Sequence, residues 1–449
     1  MSSSAVEYRS ECFIKPRYEV EDSKHPYHLT SWGLSLLSIH YIQSGLLFSK
    51  PHQFSIGDLL ESLKNSLSLA LVHFYPLAGQ FATRADNEGR HECLVFIDCT
   101  KGPGAKFIHA NLDMTVFDIL SPTYVPLVVQ SFFDLTGVTN HEGHTQPLLS
   151  VQVTELLDGI FIGVSMNHVL VDGTSFWHFW NTWSEIHEAT NGDQMSISHP
   201  PVHDYLSPGG YGPEITLPFI HPEEFINRYQ TPQLQVRIFH FSSESIRMLK
   251  EKANEESNSS NISSLQALTA LVWRSIVRAN HHLPHQQATI GVLAINNRHR
   301  MDPPLPENYF RNSVDIIKAT TTVVELLEHS LGWAALLVHQ SIANHTDKVV
   351  RESLKEWLQS PLIYQPEPIY ESISFMMTMS PRFEVYGNEF GLGKPLAARN
   401  GRNNTFDGNL VVYPGYEGGG SMDLEICLPS DSMEALESDA EFTNVVSAS

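Results

Sequence analysis

The sequence predicts an α/β protein of the α+β kind, organised as two units of similar size. Three observations lead there. The chain is too long for one compact core and suits two domains of roughly 200 residues each. Both halves pair helix-period stretches with short strand-like runs that look antiparallel. Between them, Thr190 to Pro213 shifts to Pro, Gly, Ser and His without sustained period, as a crossover would. The expected division is 1–190, a linker over 191–230, and 231–449.

After a short polar lead, His28 to Trp32 opens a Leu- and Ile-rich segment that ends at Gly45-Leu46-Leu47-Phe48. From Ser55 to Tyr75, Leu59, Leu63, Leu67, Leu71 and Phe74 recur at helical spacing; Ser55 and Asp58 supply start signals and Pro76 ends the pattern. His91 to Cys99 and Lys106 to Ala110 read as strands. Leu148 to Thr154 and Ile160 to Met166 form a hairpin across Leu157-Asp158-Gly159. In the second half, Val236 to Phe241 is a strand, Ser243 to Glu256 a helix, and Ser263-Ser264 caps a helix over Leu265 to Ala279. Thr289 to Ile295 is an apolar strand leading to Asn296 to Arg300, where Arg298 and Arg300 share a face if the strand continues. Val323 to Ala343 reads as one long helix and Ser372 to Met379 as a strand. Asn409 to Tyr413 and Ser421 to Leu428 flank a Gly-rich turn, and Ser430 to Phe442 closes as a helix.

Composition bounds the partners. A net charge of −22, from 28 basic against 50 acidic residues, argues against nucleic acid, because phosphate binding needs clustered Lys and Arg. The four cysteines lack metal-ligand spacing and suit a reducing compartment. No apolar run approaches the ~20 residues of a membrane span, so a soluble, cytosolic chain without a membrane partner is expected.

Chemistry concentrates in Ile160 to Trp183. A strand delivers His168 to the start of an aromatic-rich helix, a setting that suits a general base near neutral pH. The spacing His168-x-x-x-Asp172 decides nothing alone, since His109-x-x-x-Asp113 matches it too; the hairpin before it, Gly173 after it and the helix behind it single out the first copy. Asp172 lies in a loop rather than a helix turn, so pairing with Arg298 or Arg300 suits it better than orienting the imidazole. The aromatics Phe176, Trp177, Phe179, Trp180 and Trp183 read as packed core.

His168-x-x-x-Asp172-Gly173, with Asn388-Glu389-Phe390-Gly391-Leu392-Gly393-Lys394-Pro395, resembles the plant BAHD acyltransferases, whose second motif is usually Asp-Phe-Gly-Trp-Gly. The likeness spans the chain: Ser31-Trp32, Tyr75 to Gly79, Asn296 to Arg300 and Pro304 to Asn312 fall in the family's order. It is nearest to the branch of uncharacterised acetyltransferases and cuticle-related members. The resemblance implies two chloramphenicol-acetyltransferase-like domains with mixed sheets and a channel between them. An acyl-CoA co-substrate enters one side and an alcohol or amine acceptor the other, with no metal, no tightly bound cofactor and a monomeric chain. It makes His168 the base, Asp172 a structural partner of Arg298, and Ser263, Ser264, Ser380 and Arg382 neighbours of CoA. Two departures stand out. Glu389 replaces Asp, keeping a charge on a longer arm for a structural ion pair. Leu392 replaces Trp and removes an indole N–H, which costs on the order of 2–4 kcal/mol of transition-state stabilisation if that group holds the oxyanion. These departures motivate an alternative, a CoA-independent lyase or cyclisation reaction in the same pocket.

Overall fold

Among the described residues, strand pairing gives two six-stranded sheets and one smaller one. The computed structural model describes residues 5–85, 91–189, 197–206, 210, 212–230, 232–280, 283–372 and 374–447; residues 190–196, 207–209 and 211 of the expected crossover lie outside these. The small sheet joins β2 (Tyr27–His28), β4 (Gln80–Ala85), β5 (Cys93–Asp98) and β9 (Thr216–Leu217).

The first large sheet has the order β1 (Glu7–Ile14), β6 (Ala105–Asn111), β7 (Leu149–Glu155), β8 (Gly159–Met166), β3 (Ile42–Ser49), β14 (Ala397–Asn400). The predicted hairpin is β7–β8, antiparallel from Leu149↔Met166 to Glu155↔Ile160. Both strands are buried along nearly their whole length. Helix α1 (Ser31–Leu34) precedes β3. Helix α2 (Ile56–His73) starts where Ser55 accepts the Asp58 N–H, as the capping signal requires. The short α3 (Val116–Leu120) is fixed by a Thr115–Asp118 capping box. Helix α4 (Gly173–Glu188) packs on α2, and its Trp177, Trp180 and Trp183 are all but fully buried, so the aromatic stripe is core.

The second sheet has the order β10 (Gln235–Phe241), β16 (Met422–Leu428), β15 (Asn409–Pro414), β13 (Phe375–Thr378), β11 (Ala288–Asn296), β12 (Val314–Thr322). Helices α5 (Ser243–Glu256), α6 (Ser264–Ala279), α7 (Val323–Glu328) and α8 (Leu331–Asn344) pack beside it; α9 (Asp347–Gln359), α10 (Pro366–Ser372), α11 (Ser430–Glu437) and α12 (Ala440–Thr443) complete the chain.

The structure corrects four expectations. The strand runs that look antiparallel by pattern include parallel pairs, β6–β7, β11–β13 and β13–β15, so the sheets are mixed as the family resemblance implies. The long helix over Val323 to Ala343 is two, because Ser330 turns its hydroxyl onto the Trp333 N–H and starts a new helix. The closing helix likewise divides, with Asp439 capping α12. The polar lead contains β1, an edge strand so exposed that its sequence carries no apolar alternation. Apart from these, β14 crosses over from beyond residue 231 to finish the first sheet against β3. The loop carrying Asn388 to Pro395 therefore packs on the first core, through Phe390 and Leu392.

Candidate active site

His168 stands just past the end of β8, an inner strand, and the loop it begins is held from several sides. Its backbone N–H donates to Asn140 Oδ1 at 2.7 Å and its carbonyl accepts from Asn312 Nδ2 at 2.9 Å. Asn167 folds back on Asn140 and on the Val169 N–H. Gly33 of α1 lies so close that a Cβ there would stand 2.1 Å from the Val169 carbonyl oxygen, so only glycine fits at this approach.

The imidazole has a defined tautomer. Nδ1 lies 2.8 Å from the Val171 carbonyl oxygen, which can only accept, so Nδ1 carries the proton and Nε2 keeps its lone pair. Burial lowers the pKa below its ordinary value, opposed in part by that hydrogen bond. The ring is thus neutral at physiological pH with an unprotonated nitrogen, and the residue retains some accessible surface. That is the state a general base needs.

Asp172 does not hydrogen-bond the imidazole. It caps α4 through Oδ1 on the Ser175 N–H at 2.8 Å, and Oδ2 accepts the Ser313 N–H at 2.9 Å. Its counter-ion is Arg298, whose Nη1 lies 2.6 Å from Oδ2; both side chains are 0% exposed. Arg298 also donates to the Ser175 hydroxyl and to the Tyr309 and Arg311 carbonyls. The pair therefore ties the start of α4 to the segment after β11. Arg300 turns away to the carbonyls of Ile342 and His345, since β11 ends at Asn296 and the two arginines share no strand face. The competing His109 lies in β6, 3.8 Å from Glu155.

The second motif is a packing loop. Phe390 is fully buried at φ +48° and meets Trp180, Trp183 and His187 with ring centroids 5.8, 4.7 and 5.6 Å away. Leu392 is half-buried against the first core. Glu389 is exposed and makes no ion pair among the described residues, so the pair expected from it is not formed; its longer arm points into solvent while Arg298 is satisfied by Asp172.

Ser263 is the cap of α6, its hydroxyl accepting the Gln266 N–H in a reciprocal capping box, and Ser264 is the first helical residue. Thr269 of α6 donates to Met377 Sδ of β13 at 3.2 Å, so the start of α6 lies beside the strand that leads to Ser380 and Arg382. Ser380 accepts the Arg382 N–H, and Arg382 is exposed. Phe383 then reaches back until its ring would meet a Cβ on Gly173 at 3.3 Å. The structure thereby brings the exit of β13 to the His168 loop. Sequence reasoning missed Asn140, Gly33 and Phe383, none of which carries a local signal. Asn312 fell within a recognised stretch without an assigned role.

These elements define an acyltransferase of the two-sheet kind, and the comparisons agree. The Transferase family profile matches residues 4–443. An Arabidopsis thaliana protein described as an uncharacterized acetyltransferase is 36% identical over 97% of this chain and 98% of its own. The BAHD acyltransferase DCR of Arabidopsis thaliana is 33% identical over 97% of this chain and 92% of its own. Among solved structures, F. sporotrichioides TRI101 complexed with coenzyme A and T-2 shares the fold, with a TM-score of 0.72 at 19% identity over 94% of this chain and 98% of that one. The chain belongs to the Transferase family and, within it, to the BAHD acyltransferases.

Proposed function

We propose that this chain transfers an acyl group from an acyl-CoA thioester to an alcohol or amine on a small molecule of plant specialised metabolism. His168 is the general base. The observation that carries this is the imidazole tautomer: Nδ1–H is committed to Val171 and Nε2 is left free to accept.

In the reaction, Nε2 takes the acceptor's proton as its oxygen or nitrogen bonds to the thioester carbonyl carbon. The tetrahedral intermediate then breaks its C–S bond, and the departing CoA sulfur recovers the proton from the imidazolium. Asp172 and Arg298 hold the loop rather than move a proton. Ser263 and Ser264, at the start of a long helix, offer N–H groups, and Arg382 beside Ser380 offers a guanidinium, both suited to CoA phosphates. TRI101, which binds coenzyme A, supports this reading through its shared fold. No helix among the described residues is long and apolar enough to cross a membrane.

The test is CoA release, followed by thiol titration across a panel of acyl-CoA donors and acceptors. His168→Ala should lower turnover by about 10²–10⁴-fold with an unchanged melting temperature. Turnover of an acceptor without any thioester, retained by His168→Ala, would instead establish the lyase or cyclisation reading.

A further inference from the structure

Arg311 is 5% exposed, and carbonyls and rings surround its guanidinium rather than a carboxylate among the described residues. Nη1 donates to the His28 carbonyl of β2, and Nη2 donates to the His203 carbonyl of the crossover at 2.7 Å. The guanidinium carbon lies 3.7 Å from the Tyr27 ring centroid and 5.4 Å from that of Tyr205. A guanidinium carries its N–H groups in a fixed plane and stacks on aromatic faces, so these partners set where it sits. Neighbouring contacts close the same joint. The Tyr27 hydroxyl donates to the Phe310 carbonyl at 2.7 Å. The Val202 N–H donates to the Asn308 carbonyl at 2.9 Å, and the Phe310 N–H to the Val202 carbonyl at 3.0 Å.

One residue further on, the same stretch grips the His168 loop. Asn312 is fully buried and donates Nδ2 to the His168 carbonyl at 2.9 Å. The same Nδ2 approaches the Val171 carbonyl at 3.4 Å, and that oxygen fixes the imidazole tautomer. The Arg311 carbonyl in turn accepts from Arg298 at 2.9 Å and from the Ser175 hydroxyl at 3.2 Å. The 309–313 stretch is therefore clamped from two sides: by Arg298 and Ser175 at the start of α4, and by β2 and the crossover through the Arg311 side chain. Adjacent Cα atoms lie about 3.8 Å apart across a planar peptide, so a displaced Arg311 carries Asn312 with it.

We propose that Arg311 is a positioning residue for His168: its guanidinium ties the 309–313 stretch to β2 and the crossover, and so sets where Asn312 holds the His168 loop. It acts through Asn312 and donates no hydrogen bond to the imidazole. The crossover that joins the two halves is thereby linked to the base. Whatever draws His203 off Arg311 loosens the loop in which His168 sits. This inference rests on the acyl-transfer reading only in calling His168 a base.

The experiment is hydrogen–deuterium exchange of the full chain read by mass spectrometry, with kcat and the KM for acyl-CoA measured on the same preparations. Arg311→Met keeps an apolar stem against Tyr27 and removes the donors. The amides of His168 to Val171, which Asn140 and Asn167 hold, should exchange at least about ten-fold faster in this variant, while β10 and β16 keep wild-type protection. kcat should fall about 10–100-fold with the KM for acyl-CoA within about two-fold of wild type, and Arg311→Lys should recover part of both effects. On an Asn312→Ala background, Arg311→Met should cost less than about two-fold more in kcat, since the link it acts through is gone. Unchanged exchange of the loop overturns the proposal, as does faster exchange spread evenly over β10 and β16, which marks a residue of general stability. A wild-type kcat in Arg311→Met, or full additivity with Asn312→Ala, overturns it too. If Arg311→Met does not fold, native-state exchange of the wild type decides: the amides of Val202, Phe310 and His168 to Val171 should open in one step, and separate openings refute the link. A wild-type chain that releases no CoA counts against acyl transfer alone, because the exchange result still upholds or overturns the hold of Arg311 on the His168 loop.

Discussion

Replacing Asp172 by Asn separates two roles that a His-x-x-x-Asp spacing confounds. In the structure the carboxylate contacts the Arg298 guanidinium, the Ser175 N–H and the Ser313 N–H, but not the imidazole. The amide can keep the cap on Ser175, yet it leaves a guanidinium of 0% exposure without its counter-ion. Breaking one side of a buried pair costs about 3–5 kcal/mol, a large share of the ~5–15 kcal/mol by which folded domains exceed their unfolded chains. Equilibrium urea unfolding at pH 7 measures this as a drop in midpoint at unchanged slope. Removing the arginine as well, in Asp172→Asn with Arg298→Met, should recover part of the loss, since the uncompensated charge is gone. With His168 as the proposed base, the acid limb of kcat/KM should move only slightly, and downward, because the Asp172 charge is the smallest influence on that imidazole after burial and its backbone hydrogen bonds. An Asp172→Asn protein of wild-type stability whose acid limb moves by about a full pH step would refute the structural role and restore the carboxylate as partner of the imidazole.

Further outcomes follow from the same contacts. Gly33→Ala should lower kcat by about ten-fold or more, because its Cβ displaces the Val169 carbonyl and with it the His168 loop; a kcat equal to wild type counts against a rigid loop. Phe390→Ala should destabilise by about 3–5 kcal/mol, by opening a cavity against Trp180 and Trp183. Since the second motif packs rather than reacts, kcat/KM of the molecules still folded should change little, read by single-turnover CoA release. Stability should rise with pH between about 4 and 6.5. Burial pushes His141 and His203 down to about 4, so in that window the unfolded chain binds the protons that the folded chain excludes, and stability is lost as pH falls. A melting temperature that falls with rising pH across the window contradicts this; His203→Gln should flatten the slope.

Much of the architecture was legible because its signals are local. The cap at Ser55, the turn at Leu157 to Gly159 and the cap at Ser263 each involve groups a few residues apart, and the structure places α2, β7–β8 and α6 within a residue or two of those readings. The same holds for His168 at a strand exit and for the buried aromatics of α4. Edge strand β1 escaped because an exposed strand needs no apolar alternation.

The sequence by itself determined where the site begins and what type of group it offers: a histidine carried by a buried strand into a loop, backed by an aromatic helix. Only the tertiary structure decided how that histidine is held. Asn140 and Asn312 grip its backbone from remote segments, and Val171 sets its tautomer through a turn that spacing does not encode. The choice of Arg298 over Arg300 as partner of Asp172 turns on where β11 stops. The passage of β14 into the opposite sheet is decided there as well. Periodicity and capping act over single turns, whereas the contacts of Asn312 with His168 and of Arg298 with Asp172 join residues more than a hundred positions apart, whose approach is set by how the sheets close around their cores.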